Sequence, residues 1–473
     1  MATLPLMQPK EFYDLVIEIA LIRPGPIVGD LVHPYLNRRS GRHAVDYIHP
    51  DFQPVLERTL GVPLFQEQVL RMAMIIAGFD GSEADQLRRA MAFKRSDERM
   101  ESITEKLRSR MSQRQINIEV QEKVIKSINS FALYGFPESH AISFALLAYA
   151  SCWLKAHHTA EFFAGLLNNQ PMGFYPVASL LHDARRHGLH LKPVSVIHSA
   201  LETTVIDDDT LRLGLQHLKN LSTSTSSTLL EARSHALFID LPDFLGRVHP
   251  SKKERRLLAA AGALDDLSGV THRRDALWQG EQIPQEDLLT HREDCHPDLS
   301  GISATETTCP LPPMSDFEKL RADYDSQGYS TGEHPMALLR KAWDKHTRET
   351  SDPPCEERIH SSIDPSSLAR ACDFQSISHG QHASCAGIVI CRQRPSTAKG
   401  HCFISLEDET GIANLFIPRT TFERYRLLIT TEQFLLCHGR MQVGESDSHT
   451  LYTTCIEPLP SGLPFQTSSH DFH

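Results

Sequence analysis

A multidomain α+β architecture is what this sequence predicts, and three features predict it. Up to about Asn169 apolar residues return every three or four positions, and Val69, Met72, Ala73 and Ile76 share one helical face. From Ala383 to about Pro458 short alternating runs replace that rhythm, and five of them in about 75 residues suit a small closed OB-like β-barrel. Between the two lie small helices, polar turns and a stretch rich in Asp, Glu, Pro, Thr and Ser. At 473 residues the chain is long enough for several cores.

Taken in order, Pro24 and Pro26 fix Arg23–Ile27 as a rigid, extended turn. A helix is expected over Ser82–Arg99, capped by Ser82 with Asp85 as its partner. On it Arg88, Arg95 and Arg99 fall at i, i+7 and i+11, beside a stripe of Leu87, Ala90, Met91 and Lys94. Pro171 and Gly173 mark a break before a helix at Val177–Arg186 and short strands at Leu189–Val194 and Thr210–Leu215. Asp207-Asp208-Asp209 reads as the hairpin turn between alternating runs, not as a metal pair. Small helices fill Gln216–Trp278, a linker fills Gln279–Pro313, and a helix at Met314–Tyr324 carries the capping box Ser315/Glu318. The barrel strands are expected at Ala386–Cys391, Cys402–Leu406, Ala413–Ile417, Phe434–Gly439 and Leu451–Ile456. Domains are thus expected at 1–170, 171–278, 279–382 and 383–460, with a disordered tail at 461–473.

The net charge of −11 and pI of 6.2 exclude a globally basic nucleic-acid binder. They allow a local patch, and cationic residues are dense between Arg88 and Arg114. Ten cysteines without a Cys-x-x-Cys pair argue against a zinc site or a disulfide framework. His401-Cys402 and Cys437-His438 lie in strand-like runs whose adjacent residues face opposite ways. The apolar run Ala141–Leu154 is too short to span a bilayer, so a cytoplasmic protein without membrane contact is expected.

The basic face on the Ser82–Arg99 helix either is solvated or holds a polyphosphate through forked guanidinium groups. Tyr134 and Phe136 around Gly135 either fill a core or stack on a base, and Ser139 can cap the following helix. Glu407-Glu409 beside Thr410-Gly411 reads as a solvated hairpin in preference to a metal site.

The run Tyr134-Gly135-Phe136-Pro137-Glu138-Ser139-His140, with Leu21-Ile22-Arg23-Pro24-Gly25-Pro26 and Leu87-Arg88-Arg89-Ala90-Met91, resembles the fingers region of bacterial C-family DNA polymerases. The alpha subunit of DNA polymerase III belongs to that family. The Pro-Glu-Ser-His wording resembles its error-prone, translesion branch, and the likeness runs from Leu4 to about Pro458. The resemblance implies a carboxy-terminal part of an error-prone polymerase: fingers, a helix-hairpin-helix region and an OB-fold. By it, Arg88 and Arg89 would position the incoming triphosphate with Lys94 and Arg95, and Tyr134 and His140 would line the nucleotide pocket. Gln66-Glu67-Gln68 would also belong to the fingers.

Leu211–Trp278 resembles the helix-hairpin-helix region, whose Gly-x-Gly turn reads Lys219-Asn220-Leu221-Ser222 here. A second turn, Ala261-Gly262-Ala263-Leu264, follows Lys252, Lys253, Arg255 and Arg256, of which Lys253 and Arg256 are expected at DNA. In the barrel, Arg392, Arg394, Lys399, Phe403 and Phe416 are expected on single-stranded template, with barrel core as the other reading of the two phenylalanines. Gln285-Glu286-Asp287-Leu288-Leu289 has the form of a sliding-clamp peptide. The family's Mg²⁺ ions are held by carboxylates of a palm domain expected to precede this chain, so no catalytic residue or metal ligand is expected here. A truncated or split gene is then expected, paired with a separate palm-containing chain or other translesion proteins. The alternative is a non-catalytic DNA-binding fragment or remnant.

Overall fold

The computed structural model describes residues 4–22, 32–92, 97–132, 136–173, 176–282, 309–349, 367–395, 398–444, 448–459 and 470–472. The chain divides into two compact units, Met1–Cys152 and Trp153–His473.

Among the described residues of the first unit the regular elements are all helices: α1 (Leu4–Met7), α2 (Phe12–Leu21), α3 (Val32–Arg39), α4 (Gln53–Leu56), α5 (Gln66–Ala77), α6 (Gly81–Ala92), α7 (Asp97–Gln113), α8 (Ile118–Ala132) and α9 (Glu138–His157), the last belonging to this unit up to Cys152. The stripe read from sequence on α5 is buried as expected. Val69, Met72, Ala73 and Ile76 pack with Phe52, Leu87, Met111 and Ile128. A second core joins Met7, Ile17, Tyr35 and Phe65 to Ala141 and Ala145 of α9. A bidentate pair from Arg39 to Asp14 at 2.7 and 2.8 Å ties α3 to α2.

The helix expected over Ser82–Arg99 is described as α6 up to Ala92 and again from Asp97 in α7, and residues 93–96 lie outside the described residues. One expectation is corrected here. The cap of α6 is not Ser82 with Asp85. Asp80 accepts from the Glu83 N–H at 2.8 Å and Glu83 accepts from the Asp80 N–H at 3.0 Å. The Glu83 carboxylate also pairs with Lys106 and Arg110 of α7 at 2.8 and 2.6 Å. Asp85 is thereby left for a different task.

The second unit opens with α10 (Thr159–Asn168), α11 (Val177–Arg186) and a three-stranded sheet of β1 (His190–Lys192), β2 (Thr204–Asp207) and β3 (Thr210–Arg212). Central β3 runs parallel to β1 and antiparallel to β2. Helices α12 (Thr223–His235), α13 (Leu241–Val248), α14 (Lys252–Ala260) and α15 (Arg273–Gln282) close a core around Phe163, Leu213, Leu229, Phe244 and Leu264. α16 (Asp316–Ser326) carries the expected capping box, with the Ser315 N–H donating to Glu318 at 2.8 Å. It is followed by α17 (Pro335–Glu349).

The barrel consists of β4 (His382–Gln393), β5 (Cys402–Glu407), β6 (Ile412–Ile417), β7 (Phe434–Val443) and β8 (His449–Pro458). The pairing order β5-β6-β8-β7-β4 is closed by β4 with β5, and only β6–β8 is parallel. All five strands overlap the runs expected from sequence. Residues that alternate inward, such as Cys402, Ile404, Leu406, Ala413, Leu415 and Ile417, fill its core. The alternating pattern concealed α18 (Arg419–Thr431), which bridges β6 and β7. Residues His470–Phe472, expected in a disordered tail, instead form β9, parallel to β4.

Candidate nucleotide and nucleic-acid interfaces

In the first unit, α6 carries Arg88 and Arg89 on one exposed side. Both reach back to Asp85: Arg88 at 2.8 Å and Arg89 at 2.7 Å. The Asp85 carboxyl is held below its usual range, first by the Arg88 hydrogen bond and then by both positive charges. Exposed pairs of this spacing are weak, so a phosphate can displace Asp85 at little cost. Lys94, Arg95 and Tyr134 lie outside the described residues, as do Arg23–Ile27 and Gln285–Leu289.

The start of α9 is anchored from α5. The Glu138 N–H donates to the Glu67 carboxylate at 2.9 Å, and the Gln66 N–H to the Phe136 carbonyl at 3.0 Å. Gln68 accepts from the N–H groups of Leu64 and Phe65 at 2.9 and 3.1 Å. Tyr13 donates to Glu138 at 2.5 Å, and burial together with that carboxylate raises its phenol pKa. Gln66-Glu67-Gln68, which sequence could place only in the fingers, is therefore the bracket for the Phe136–Glu138 turn. That turn opens a shallow recess lined by Phe136, Pro137, Ser139, His140 and Ser143. The exposed His140 ring packs edge-on against Phe136 and Phe144, with centroids 5.3 and 4.6 Å apart.

In the second unit, the hairpin that lacks both glycines keeps the glycine geometry. Asn220 takes φ +65°, a left-handed conformation that asparagine tolerates. Lys219 of that turn is spent inward, donating to the Tyr324 carbonyl at 3.2 Å. The following helix start is occupied by a carboxylate that sequence reasoning missed. Glu254 accepts from the Ser222 N–H and hydroxyl at 3.1 and 2.7 Å, and from the Ser251 N–H and hydroxyl at 3.0 and 2.7 Å. Burial alone would raise its pKa, but these four hydrogen bonds bring it to about 2. In the basic run on α14, Arg256 pairs with Glu281 at 2.7 Å, and so does Lys252 at 3.2 Å. Arg255 donates to the Gly280 carbonyl. Lys253 alone in this run is exposed without an ion pair among the described residues.

On the barrel, Phe403 and Phe416 both stand outside the core, and Phe403 is 39% exposed. They face one another across β5 and β6 at 5.5 Å. Two residues not anticipated extend the strip: His401 lies 5.0 Å and Tyr452 5.6 Å from Phe416. Tyr452 arrives through the parallel β6–β8 pairing, opposite Phe416. Gly439 of β7 lets that strand approach β8 closely at this point, because a Cβ there would meet the Tyr452 carbonyl oxygen at 2.1 Å. The register sets the exposed Arg440 of β7 against Tyr452. Lys399 is exposed in the β4–β5 turn, and Arg394 lies over the Phe422 ring at 4.2 Å. Arg392 is committed to the fold: its guanidinium donates to the Ile429 and Glu432 carbonyls at 2.6 Å, closing the end of α18. The strip thus occupies the second and third barrel strands beside the first inter-strand loop, the surface on which OB-folds take oligonucleotides.

The acidic run Glu407–Glu409 is not the solvated hairpin expected. Glu407 and Asp408 are 2% and 3% exposed. Glu407 meets His182 at 3.0 Å and Arg186 at 3.1 Å on α11, while Arg340 of α17 takes Glu409 at 3.0 Å and Asp408 at 3.5 Å. The Asp408 carboxylate also accepts from the Thr410 and Gly411 N–H groups. These pairs bolt the barrel to α11 and α17.

His182, His334 and Glu407 form the sole buried group among the described residues whose donor atoms lie close enough for one cation. Its chemistry does not fit Mg²⁺, which takes oxygen ligands and retained waters. His334 Nδ1 already accepts from the Met336 N–H at 3.1 Å. Burial first, then His182, Arg186, Arg185 and Arg340, push the His334 pKa well below its usual value. A cation would enter a site already rich in positive charge.

Comparison with known proteins completes these findings. The profile of the bacterial DNA polymerase III alpha subunit finger domain matches residues 1–115. A helix-hairpin-helix profile matches 188–276, and an OB-fold nucleic acid binding domain profile matches 383–459. The whole chain is 39% identical to an error-prone DNA polymerase of Dechloromonas aromatica and 41% identical to one of Azoarcus sp.. An error-prone DNA polymerase of Saccharophagus degradans is 39% identical. The chain spans 43–44% of the length of these three relatives.

Proposed function

Because this chain is related along its whole length to the error-prone DNA polymerases of the bacterial C family, we propose that it supplies their nucleotide and template contacts for DNA synthesis past damage. The observation that carries this is the outward aromatic strip His401, Phe403, Phe416 and Tyr452, flanked by Lys399 and Arg440, on the OB barrel. Bases of single-stranded template stack there while the cations meet the backbone. Arg88 and Arg89 take the triphosphate of the incoming nucleotide in exchange for Asp85, with Lys94, Arg95, Tyr134 and His140 in the same pocket. Arg394 and Lys253 add template and duplex contacts. Arg256 contributes only when DNA displaces Glu281, and Arg392 acts through α18.

The reaction needs Mg²⁺ held by carboxylates. No such set is assigned to this chain's described residues, so the ligands are proposed to lie in the remainder of the polymerase. A sliding clamp is the proposed partner of Gln285–Leu289. The fingers, helix-hairpin-helix region and barrel are proposed to act as modules of one cytoplasmic enzyme.

Primer extension with Mg²⁺, four deoxynucleotides and a template carrying an abasic site tests the reading. Extension is expected when the chain is combined with the remaining polymerase portion, and Arg88→Ala/Arg89→Ala should abolish it. Binding to single-stranded DNA with no extension in either case would support a DNA-binding fragment instead.

A further inference from the structure

We propose that β9 lengthens the single-strand surface of the OB barrel, with Phe472 as the outermost residue on which a base of the template stacks. The inference rests on the functional reading of the aromatic strip above and adds to it a residue from outside the closed barrel.

The barrel closes through β4 and β5 and leaves one stretch of edge over. β7 pairs with β4 only from His382 to Ile388, because β7 begins at Phe434. Past that point β5 holds one edge of β4, and the other edge takes a further strand. That strand is β9, whose His470, Asp471 and Phe472 pair in parallel with Cys391, Arg392 and Gln393.

The register gives this pairing its meaning. Residues paired across neighbouring strands occupy the same face of a sheet. Phe472 pairs with Gln393, Gln393 with Phe403, Phe403 with Phe416, and Phe416 with Tyr452. Arg440 follows Tyr452 at the far end. β9 and the aromatic strip therefore share one unbroken row. One residue back, Asp471 pairs with Arg392, Arg392 with Ile404, and Ile404 with Leu415. Ile404 and Leu415 belong to the barrel core. The one acidic residue of β9 thus falls on the inward row, and Phe472 falls on the outward one.

That alternation suits a polyanion. A carboxylate on the outward row would repel phosphates, whereas an aromatic ring gives any base a face to stack on. Gln393, between Phe472 and Phe403, brings an amide that can donate to a base edge and accept from one. From Phe472 to Tyr452 the row crosses four strand spacings of about 4.8 Å, roughly 19 Å in all. Such a span lies within the stretch of about 4–16 nucleotides that one OB-fold engages.

Fluorescence anisotropy of the full chain with a labelled oligothymidine of about 16 nucleotides is the test. Phe472→Ala is expected to weaken binding about tenfold, as the loss of one stacked base does, and Phe472→Trp to keep it near the parent value. Asp471→Asn, on the inward row, should change affinity by less than about twofold. Because β9 lies outside the closed barrel, the thermal midpoint should stay constant in all three. Should Phe472→Ala shift it, photocross-linking of the parent chain decides. An oligonucleotide carrying 5-iodouracil should attach to the peptide that contains Phe472, and no attachment there overturns the proposal. Deletion of residues 470–473 that weakens binding while Phe472→Ala does not would make β9 a brace for β4 and overturn it as well. Phe403→Ala and Phe416→Ala separate the two readings. If they weaken binding and Phe472→Ala does not, this inference fails alone. If oligothymidine binds regardless of Phe403 and Phe416, or fails to bind, the reading of the strip fails and takes this inference with it.

Discussion

Glu254 holds the starts of two helices at once, through Ser222 before α12 and Ser251 before α14. Its pKa of about 2 lies below the usual 4.5, so it stabilises the fold above the unfolded-state value and loses that contribution as pH falls from about 4.5 toward 2. The depression corresponds to about 3 kcal/mol at neutral pH. Glu254→Gln should lower the thermal midpoint at pH 7, and the gap between variant and parent should narrow through pH 4 to 3 and close only near pH 2. A gap undiminished between pH 7 and pH 3 would assign the effect to packing. Ser251 and Glu254 are legible as a capping box in sequence, but Ser222 lies too far along the chain for local pattern to join it. Phe403 and Phe416 present the converse case. Alternation within β5 and β6 leaves core or surface open until the register is known, and the structure turns both outward. Phe403→Ala and Phe416→Ala should each weaken oligothymidine binding by about 1–3 kcal/mol while the melting temperature stays nearly constant. Fluorescence anisotropy beside thermal denaturation separates the two effects.

Elements dock through charges that the sequence makes look solvated. The hairpin between β5 and β6 buries Glu407 and Asp408 against Arg186, His182 and Arg340, from helices more than fifty residues away in the chain. Removing one member of a buried pair leaves its partner uncompensated, at a typical cost of about 3–5 kcal/mol. Glu407→Ala should therefore destabilise the second unit strongly, read as a fall in the denaturant midpoint. A change under about 0.5 kcal/mol, the ordinary effect of a surface site, would return the run to the solvated class. Arg392 belongs at this scale too. It caps α18, so Arg392→Ala should reduce stability, whereas Lys399→Ala should leave stability alone and flatten the salt dependence of DNA binding.

At the scale of the molecule, a chain of net charge −11 can meet nucleic acid only through a local patch. Three cations near the aromatic strip, Arg394, Lys399 and Arg440, set the expected response. The logarithm of the single-strand affinity should fall against the logarithm of salt with a slope of about −2. A slope of −5 or steeper would move the main contact to another surface. The pairing of Arg256 and Lys252 with Glu281 points the same way, since it removes two cations from the helix-hairpin-helix region.

The sequence by itself determined the order of modules, the helices of the fingers with their buried stripe, the five barrel strands and the resemblance to error-prone polymerases. Each is written in local periodicity or in contiguous motifs. Tertiary structure alone decided which charges are available and which aromatics align. Arg88 with Arg89, Arg256 and Arg392 look alike in sequence, yet one pair sits on a nearby exposed carboxylate, one is clamped by Glu281, and one caps a helix. Tyr452 joins Phe416 only because β6 and β8 run parallel. Charge availability and cross-strand neighbours depend on partners distant in the chain, and local pattern carries no information about them.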